Sequence, residues 1–509
     1  MEYVLDITKA HQKFFEEISR IPRQSFREQA VSDYIVTFAK DRGLWFDQDS
    51  IGNVIIKKGG TAGCENSGPV MLQAHLDMVC EKAPGISFDF STESIKLIEE
   101  NGWVKALGTT LGADDGAGVA LILAILDNQT IKHPPLECVF TVQEEDGMGG
   151  ARHLDYAKLS SKMLVALDGL EEGTTIVSTT GINCGYITKE CTIIPNTQAV
   201  FSLKVSGLRG GHAALNIGKG QGNAIQITAR ILSAICRKYP VQLVSIAGGT
   251  ILNGIPQECE ARFTFSEYVE QSEAMVEDLY HLVQKTAHKI LEDLKDNDPG
   301  LTAELCSGGE AAYTLSKTSS GEVIRLICML PMGVDKWDKN APDFPIASRN
   351  LGTVSMDGSR IKIGYSCRSI STAQISEMVG QTVMIAENHN AAYQEAFHYS
   401  GYTVEEDSPL IRIWSDVFKE ETGKELICRR IHSGTDAGTV AENMGRMDII
   451  VLMPNTLDVH TPRERMELAS FDRTFQYLSK ILERLALFNQ GKNSSSIVTM
   501  LESGKTIIE

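Results

Sequence analysis

The sequence predicts an α/β catalytic domain with a mostly parallel central sheet, interrupted by an inserted α+β lid domain. Three observations predict it. Apolar strand-like runs alternate with helix-like runs up to about residue 183, the mark of an α/β layer. From 184 the pattern changes to strand-like stretches and long amphipathic helices, and at about 404–408 the first pattern returns. Three of the apolar runs end in a residue able to bind a metal: Val70–Ala74 before His75, Cys138–Val142 before Glu144-Glu145, and Met163–Leu167 before Asp168. In such sheets ligands bind just beyond the carboxyl ends of the strands.

The elements follow in order. Residues 7–20 set Phe14, Phe15 and Ile18 on one helical side. Ser25 with Glu28 three residues on predicts a second helix opening on a capping box, continuing through Tyr34, Ile35 and Phe38 to a stop at Gly43. Leu44–Phe46 and Val54–Lys57 read as strands around turn residues 50–53, and 116–127 as an apolar helix. In the insert, strand-like stretches at 186–194, 199–206 and 261–265 accompany helices at 223–237, 272–295 and 371–387 and another up to Pro331, with a Gly-rich loop at 207–212. Ser408-Pro409 opens a helix running to Gly423, 448–453 is a buried strand, and 470–487 a closing helix. The expected domains are 1–183 and 404–490 for the catalytic part and 184–403 for the lid, with a mobile tail at 491–509.

A chain of 509 residues is expected to form two domains. Its net charge of -18 argues against nucleic acid and anionic membranes as partners. The N-terminus lacks the regions of a signal peptide, no apolar run reaches spanning length, and eleven scattered cysteines suit a reducing cytoplasm.

The Glu144-Glu145 pair organises the chemistry. Neighbours on an extended chain face opposite ways, so the pair suits two jobs, one residue binding a metal and the other handling a proton. In isolation it would be a solvated turn. His75 and Asp77, two apart, face the same way, as a metal ligand and the carboxylate that fixes its tautomer do. Asp114 precedes the helix at 116–127, where it is either an N-cap or a carboxylate shared by two cations. Asp168 and His460 each lie past a buried strand; alone, Asp168 reads as a cap or turn residue and His460 equally as a surface histidine. Together His75, Asp114, Glu145, Asp168 and His460 form a nitrogen and oxygen set suited to two zinc-like ions. Two such ions about 3.5–4 Å apart can activate a water and polarise a carbonyl.

From about residue 10 to 485 the sequence resembles the dinuclear zinc peptidases that include aminoacylase, carboxypeptidase G and many dipeptidases, and within them the aminoacyl-histidine dipeptidase (Xaa-His dipeptidase, peptidase D) branch. The likeness is carried by Ile21-Pro22, Gly52-Asn53, residues 73–79 and 108–114, Glu144 to Met148, residues 207–212, Gly248-Gly249-Thr250, Asn253 with Ile255-Pro256, and Cys367-Arg368-Ser369. It implies a phosphorylase/hydrolase-like catalytic domain acting on small unblocked dipeptides, with two divalent ions, zinc by default and manganese or cobalt also suited. One ion would be held by His75 and Asp168, the other by Glu145 and His460, with Asp114 between them. Asp77 would orient His75, and Glu144 would be the general base. His212 would stabilise the oxyanion, and in related enzymes that histidine can come from a partner subunit, so a homodimer is expected. Asn253, Arg368 and Asp436 would contact substrate, the Arg368 guanidinium gripping the substrate carboxylate. Asp436 stands where the branch usually has Glu, Asp115 where it has Asn, Asp458-Val459 where it has Gly-Pro, Arg463 where it has Asp, and Leu252 where it has a basic residue. These departures crowd the substrate side and leave open which C-terminal residue is preferred. An amidohydrolase of N-acyl amino acids and a non-catalytic binding protein are the alternative readings.

Overall fold

Val70–His75 and Leu136–Thr141 are buried along their whole length, as apolar strands covered on both faces must be. They form the middle of a six-stranded sheet in the order Trp45–Gln48, Val54–Lys58, Leu136–Thr141, Val70–His75, Met163–Ala166, Asp448–Val451. The last four strands are mutually parallel, and the first two complete one edge as antiparallel strands. The computed structural model describes residues 3–266, 269–405 and 407–490, so the tail expected at 491–509 lies outside the described residues.

Strand periodicity divides the core in two. Val70, Leu72, Phe140, Val165 and Ile450 pack on one face with the helices Ala10–Ser19, Gln29–Asp41, Ala113–Asp127, Pro409–Thr422 and Leu468–Gln490. Met71, Val139, Leu164, Ile449 and Val451 face the other way, against Leu154, Tyr402, Ala437 and Val440. Among the described residues no helix is long and apolar enough to cross a membrane.

The chain divides into two compact units, one running to Thr179 and resuming at Tyr399, the other Thr180–His398. The second unit is built on a nine-stranded sheet with helices Ala224–Cys236, Glu273–Leu294, Lys317–Met329 and Thr372–Glu387. The side chains of Asn223, Ser272, Ser316 and Ser371 cap these helices. One long pairing in the sheet joins Pro345–Asp357 to Arg360–Ser369 across a two-residue turn that begins at Gly358, whose φ of 55° favours glycine.

The start of the second helix differs from the expectation. The second helix begins at Gln29, not at Ser25. Phe26 has φ 66°, which breaks a helix, and Ser25 donates its hydroxyl to Asp77 at 2.8 Å instead of capping. Glu28 likewise accepts the Gln143 N–H at 3.0 Å, so both halves of the apparent capping box are recruited by the strand ends.

The first and last helices are tied by Asp472, which accepts from Lys9 Nζ at 2.6 Å, Gln12 Nε2 at 2.7 Å and faces His11 Nε2 at 2.8 Å. Burial raises the Asp472 carboxyl, but His11, Lys9 and Gln12 outweigh it and hold it at about 2, below the ordinary 3.8. A depressed carboxylate contributes stability above its unfolded value and loses it as pH falls through the folded one. Asp472→Asn is expected to destabilise the protein by about 1–3 kcal/mol at neutral pH. Urea unfolding of both proteins across the acid range should show that difference shrinking towards pH 2.

Candidate active site

Parallel pairing sets His75 opposite Thr141 and Gln73 opposite Ala166, so three strands stop along one edge of the sheet. His75 ends its strand, and Glu144, Glu145 and Asp168 lie two to four residues past theirs. Asp114 comes from the start of the Ala113–Asp127 helix, where the backbone is not yet helical at Asp114 and Asp115. The Asp115 carboxylate ties that start to the sheet by accepting the His75 N–H at 3.0 Å and the Gly118 N–H at 3.1 Å. His460 enters from the loop after Thr456–Leu457, with φ 61°.

Asp114 stands between the two imidazoles, Oδ1 at 3.1 Å from His75 Nε2 and Oδ2 at 3.2 Å from His460 Nε2. His460 Nε2 also lies 3.0 Å from Glu145 Oε1. His75, Asp114 and Asp168 offer donor atoms all within 4.8 Å of one another, as do Asp114, Glu145 and His460, and also His75, Glu144 and Glu145. The other ring nitrogen of His75 faces Asp77, 3.2 Å from its carbonyl and 3.4 Å from its carboxylate. Asp146, beside the pair, is exposed.

Charge crowding dominates the electrostatics. Burial, reinforced by Asp168 and Glu145 and opposed by His75, pushes the half-buried Glu144 carboxyl well up. Asp168 is pushed up to about 7 by burial and by Asp114, and Glu145 is raised by burial and Asp114. Asp114 goes the other way: burial raises it, but His460 and His75 pull it below the carboxylate range. Hydrogen bonds to Asp114 and Glu145 push His460 up to about 10. Four carboxylates against two imidazoles is an imbalance that a pair of dications would neutralise, and the mixed donor set fits them.

Several residues hold this geometry by gripping the backbone of the loops that carry it. Asp77 accepts the N–H of Glu144 at 3.0 Å and of Glu145 at 3.2 Å. Asn53 accepts the Val142 N–H at 3.0 Å and donates to Gly150 O at 3.0 Å, which gives the Gly52-Asn53 motif its work. Arg23 is buried and donates to the carbonyls of Leu76, Asp77 and Gly112. Glu464 is buried and accepts four successive backbone N–H groups, from Leu111 to Asp114. A charged residue in a polar stretch reads as solvated, so neither Arg23 nor Glu464 stands out. The Ile21-Pro22 motif immediately precedes Arg23.

Asp436 is fully buried, its Oδ2 accepting from Thr141 Oγ1 at 2.5 Å and Gln73 Nε2 at 3.3 Å, and burial pushes it up to about 6. The remaining expected residues lie in the second unit, close to one another. His212 pairs with Gly254, and Ala213 N–H donates to Asn253 O at 2.7 Å. Arg368, buried on the Arg360–Ser369 strand, lies with Nη2 3.4 Å from Asn253 Oδ1. His212 Nδ1 accepts the Ala214 N–H at 3.2 Å, which leaves the proton of the neutral ring on Nε2.

Residues 71–484 match the sequence profile of peptidase family M20/M25/M40. The chain is 30% identical over 475 residues to the cytosol non-specific dipeptidase of Escherichia coli, covering 92% of this chain and 96% of that one. It superposes on the aminoacylhistidine dipeptidase of Vibrio alginolyticus with a TM-score of 0.80 at 28% identity, covering 93% of this chain and 96% of the other. A tripeptidase of Staphylococcus aureus shares the fold, with a TM-score of 0.54 at 17% identity over 95% of this chain and 100% of that one.

Because Asp77 holds both the His75 ring and the loop of the glutamate pair, Asp77→Asn is expected to weaken divalent metal binding by roughly 10–100-fold while the protein stays folded. Competition against a chromophoric chelator, alongside circular dichroism, measures both.

Proposed function

The chain belongs to peptidase family M20/M25/M40 and is a metallopeptidase, and on that premise we propose that it hydrolyses the peptide bond of small unblocked dipeptides with two divalent ions bound. The observation that carries this reading is Asp114 reaching the ring nitrogens of both His75 and His460 at one edge of the sheet. Two similar proteins aligned over nearly their whole length have dipeptidase in their names. His75 and Asp168 would hold one ion and Glu145 and His460 the other, with Asp114 shared between them. Zinc is the first choice, and manganese or cobalt suits the same donors. When bound, such ions polarise the scissile carbonyl and make a water acidic.

The protein's own groups do the rest. Asp77 fixes the His75 ring through Nδ1 and so aims Nε2 at Asp114. Glu145 faces His460, which leaves Glu144 to take a proton from the attacking water and deliver it to the departing amine. Burial and neighbouring charge raise the Glu144 carboxyl, in the direction a proton carrier at neutral pH requires. His212, protonated on Nε2, supplies a donor for the tetrahedral oxyanion, and Arg368 beside Asn253 suits the substrate carboxylate with its forked guanidinium. The expected setting is the cytoplasm, with a homodimer as the assembly. Similarity to a cytosol dipeptidase and eleven scattered cysteines favour that setting.

Glu144→Gln is expected to keep two ions per chain and lose at least about 100-fold in kcat. Elemental analysis beside turnover checks it, and near-normal turnover would remove Glu144 as the base. Dipeptides should be cleaved far faster than their C-terminal amides, and Arg368→Ala should erase that preference mainly through KM. Faster cleavage of N-acetylated amino acids than of free dipeptides would instead make the protein an amidohydrolase.

A further inference from the structure

Glu464 has no part in the chemistry just described, yet its carboxylate is only 2% exposed and completely engaged. Oε2 accepts the N–H of Leu111 at 2.8 Å and of Gly112 at 3.0 Å, and Oε1 those of Ala113 at 2.8 Å and Asp114 at 3.4 Å. Four consecutive amides pointing at one anion form a nest. The left-handed Gly112, φ 71°, turns them inward, and a Cβ there would stand 2.4 Å from Arg23 Nη2. Glu464 also lies four residues after His460, and its own N–H closes the loop by donating to Thr461 O at 3.0 Å.

That loop is under backbone strain. Asp458 and His460 have φ of 54° and 61°, a region costly for residues with side chains. The His460 side chain is 46% exposed and its ring contacts are Asp114 and Glu145. By contrast, the His75 side of the site is held by Asp77 and Asp115. We propose that Glu464 is a positioning residue: it latches the His460 loop to the Asp114 turn, fixes the separation of these two ligands, and thereby sets the affinity of the ion shared by Asp114, Glu145 and His460. This rests on the dinuclear reading above.

The test uses the full chain stripped of metal and titrated with Co²⁺. Visible absorption follows each equivalent, and thermal unfolding of the metal-free protein is recorded alongside. In Glu464→Gln two of the four amides meet an NH₂ group in place of an acceptor. Its first equivalent should bind within about threefold of wild type and its second at least about tenfold more weakly. His460→Ala should show the same selective loss, and adding Glu464→Gln to it should weaken the second ion no further. Should Glu464→Gln fail to fold, Glu464→Asp, which keeps the charge but shortens the reach, should show the second-ion loss in milder form. Wild-type affinity for both ions in the variant that folds, or equal weakening of both, overturns the latch. Independent additivity with His460→Ala also overturns it. A wild-type protein that takes up fewer than two Co²⁺ ions fails the dinuclear reading itself, a different result from two ions in wild type and two in the variant.

Discussion

The catalytic edge depends on one buried charge. The Asp77 carboxylate, fully shielded from solvent, meets the His75 ring, the Ser25 hydroxyl and the backbone N–H groups of Glu144 and Glu145. Burial alone would raise its pKa and favour the neutral acid, but His75 and Ser25 reverse that, and Asp77 sits below the ordinary carboxylate range. It thereby joins three segments far apart in sequence: the turn before the second helix, the end of one central strand, and the loop after its neighbour. A neutral group of the same shape could not accept from all of them at once.

Around it the structure follows a consistent rule. A strand's main-chain groups are satisfied by its neighbours, but a ligand loop leaves the sheet and loses them. Gln143 and Met148 adopt φ of 57° and 58°, so the loop of the glutamate pair has no regular ladder to join. Buried side chains take over. Glu28 and Asn53 accept the N–H groups of Gln143 and Val142, Arg23 donates to the carbonyls of Leu76, Asp77 and Gly112, and Glu464 gathers the amides before Asp114. The ligands are therefore placed by backbone atoms that are themselves pinned, which is how a site on loops acquires the precision of one on strands.

This rule also explains what was legible in the sequence. The parallel strands and their terminal ligands could be read because both signals are local: an apolar run, then His75, Glu145 or Asp168 within a few residues. Residues that act on distant backbone left no such trace. Ser25 and Glu28 matched a capping box, a local pattern, but the strand ends compete for the same two side chains and win. Asp436 reads as a substrate contact by position in a motif, whereas its burial against Thr141 and Gln73 depends on how 431–438 folds back over the sheet. The long pairing of Pro345–Asp357 with Arg360–Ser369 does have a local signal, Asp357-Gly358 between alternating apolar residues.

The final constraint is the number of charges. Asp114, Glu144, Glu145 and Asp168 cannot all ionise side by side against two imidazoles, and the upward shifts of Glu144, Glu145 and Asp168 express that. Dications reverse the logic for any carboxylate that binds them, because coordination demands the ionised form. In the proposed arrangement Asp114 and Glu145, which contact His460, and Asp168, grouped with His75 and Asp114, would be the ligands. In the proposed division of roles Glu144, though it shares a donor group with His75 and Glu145, is the one kept for proton transfer. Under the proposed mechanism the two adjacent glutamates would take different duties: Glu145 meets His460, while the half-buried Glu144 lies among carboxylates and a desolvating environment that raise its proton affinity.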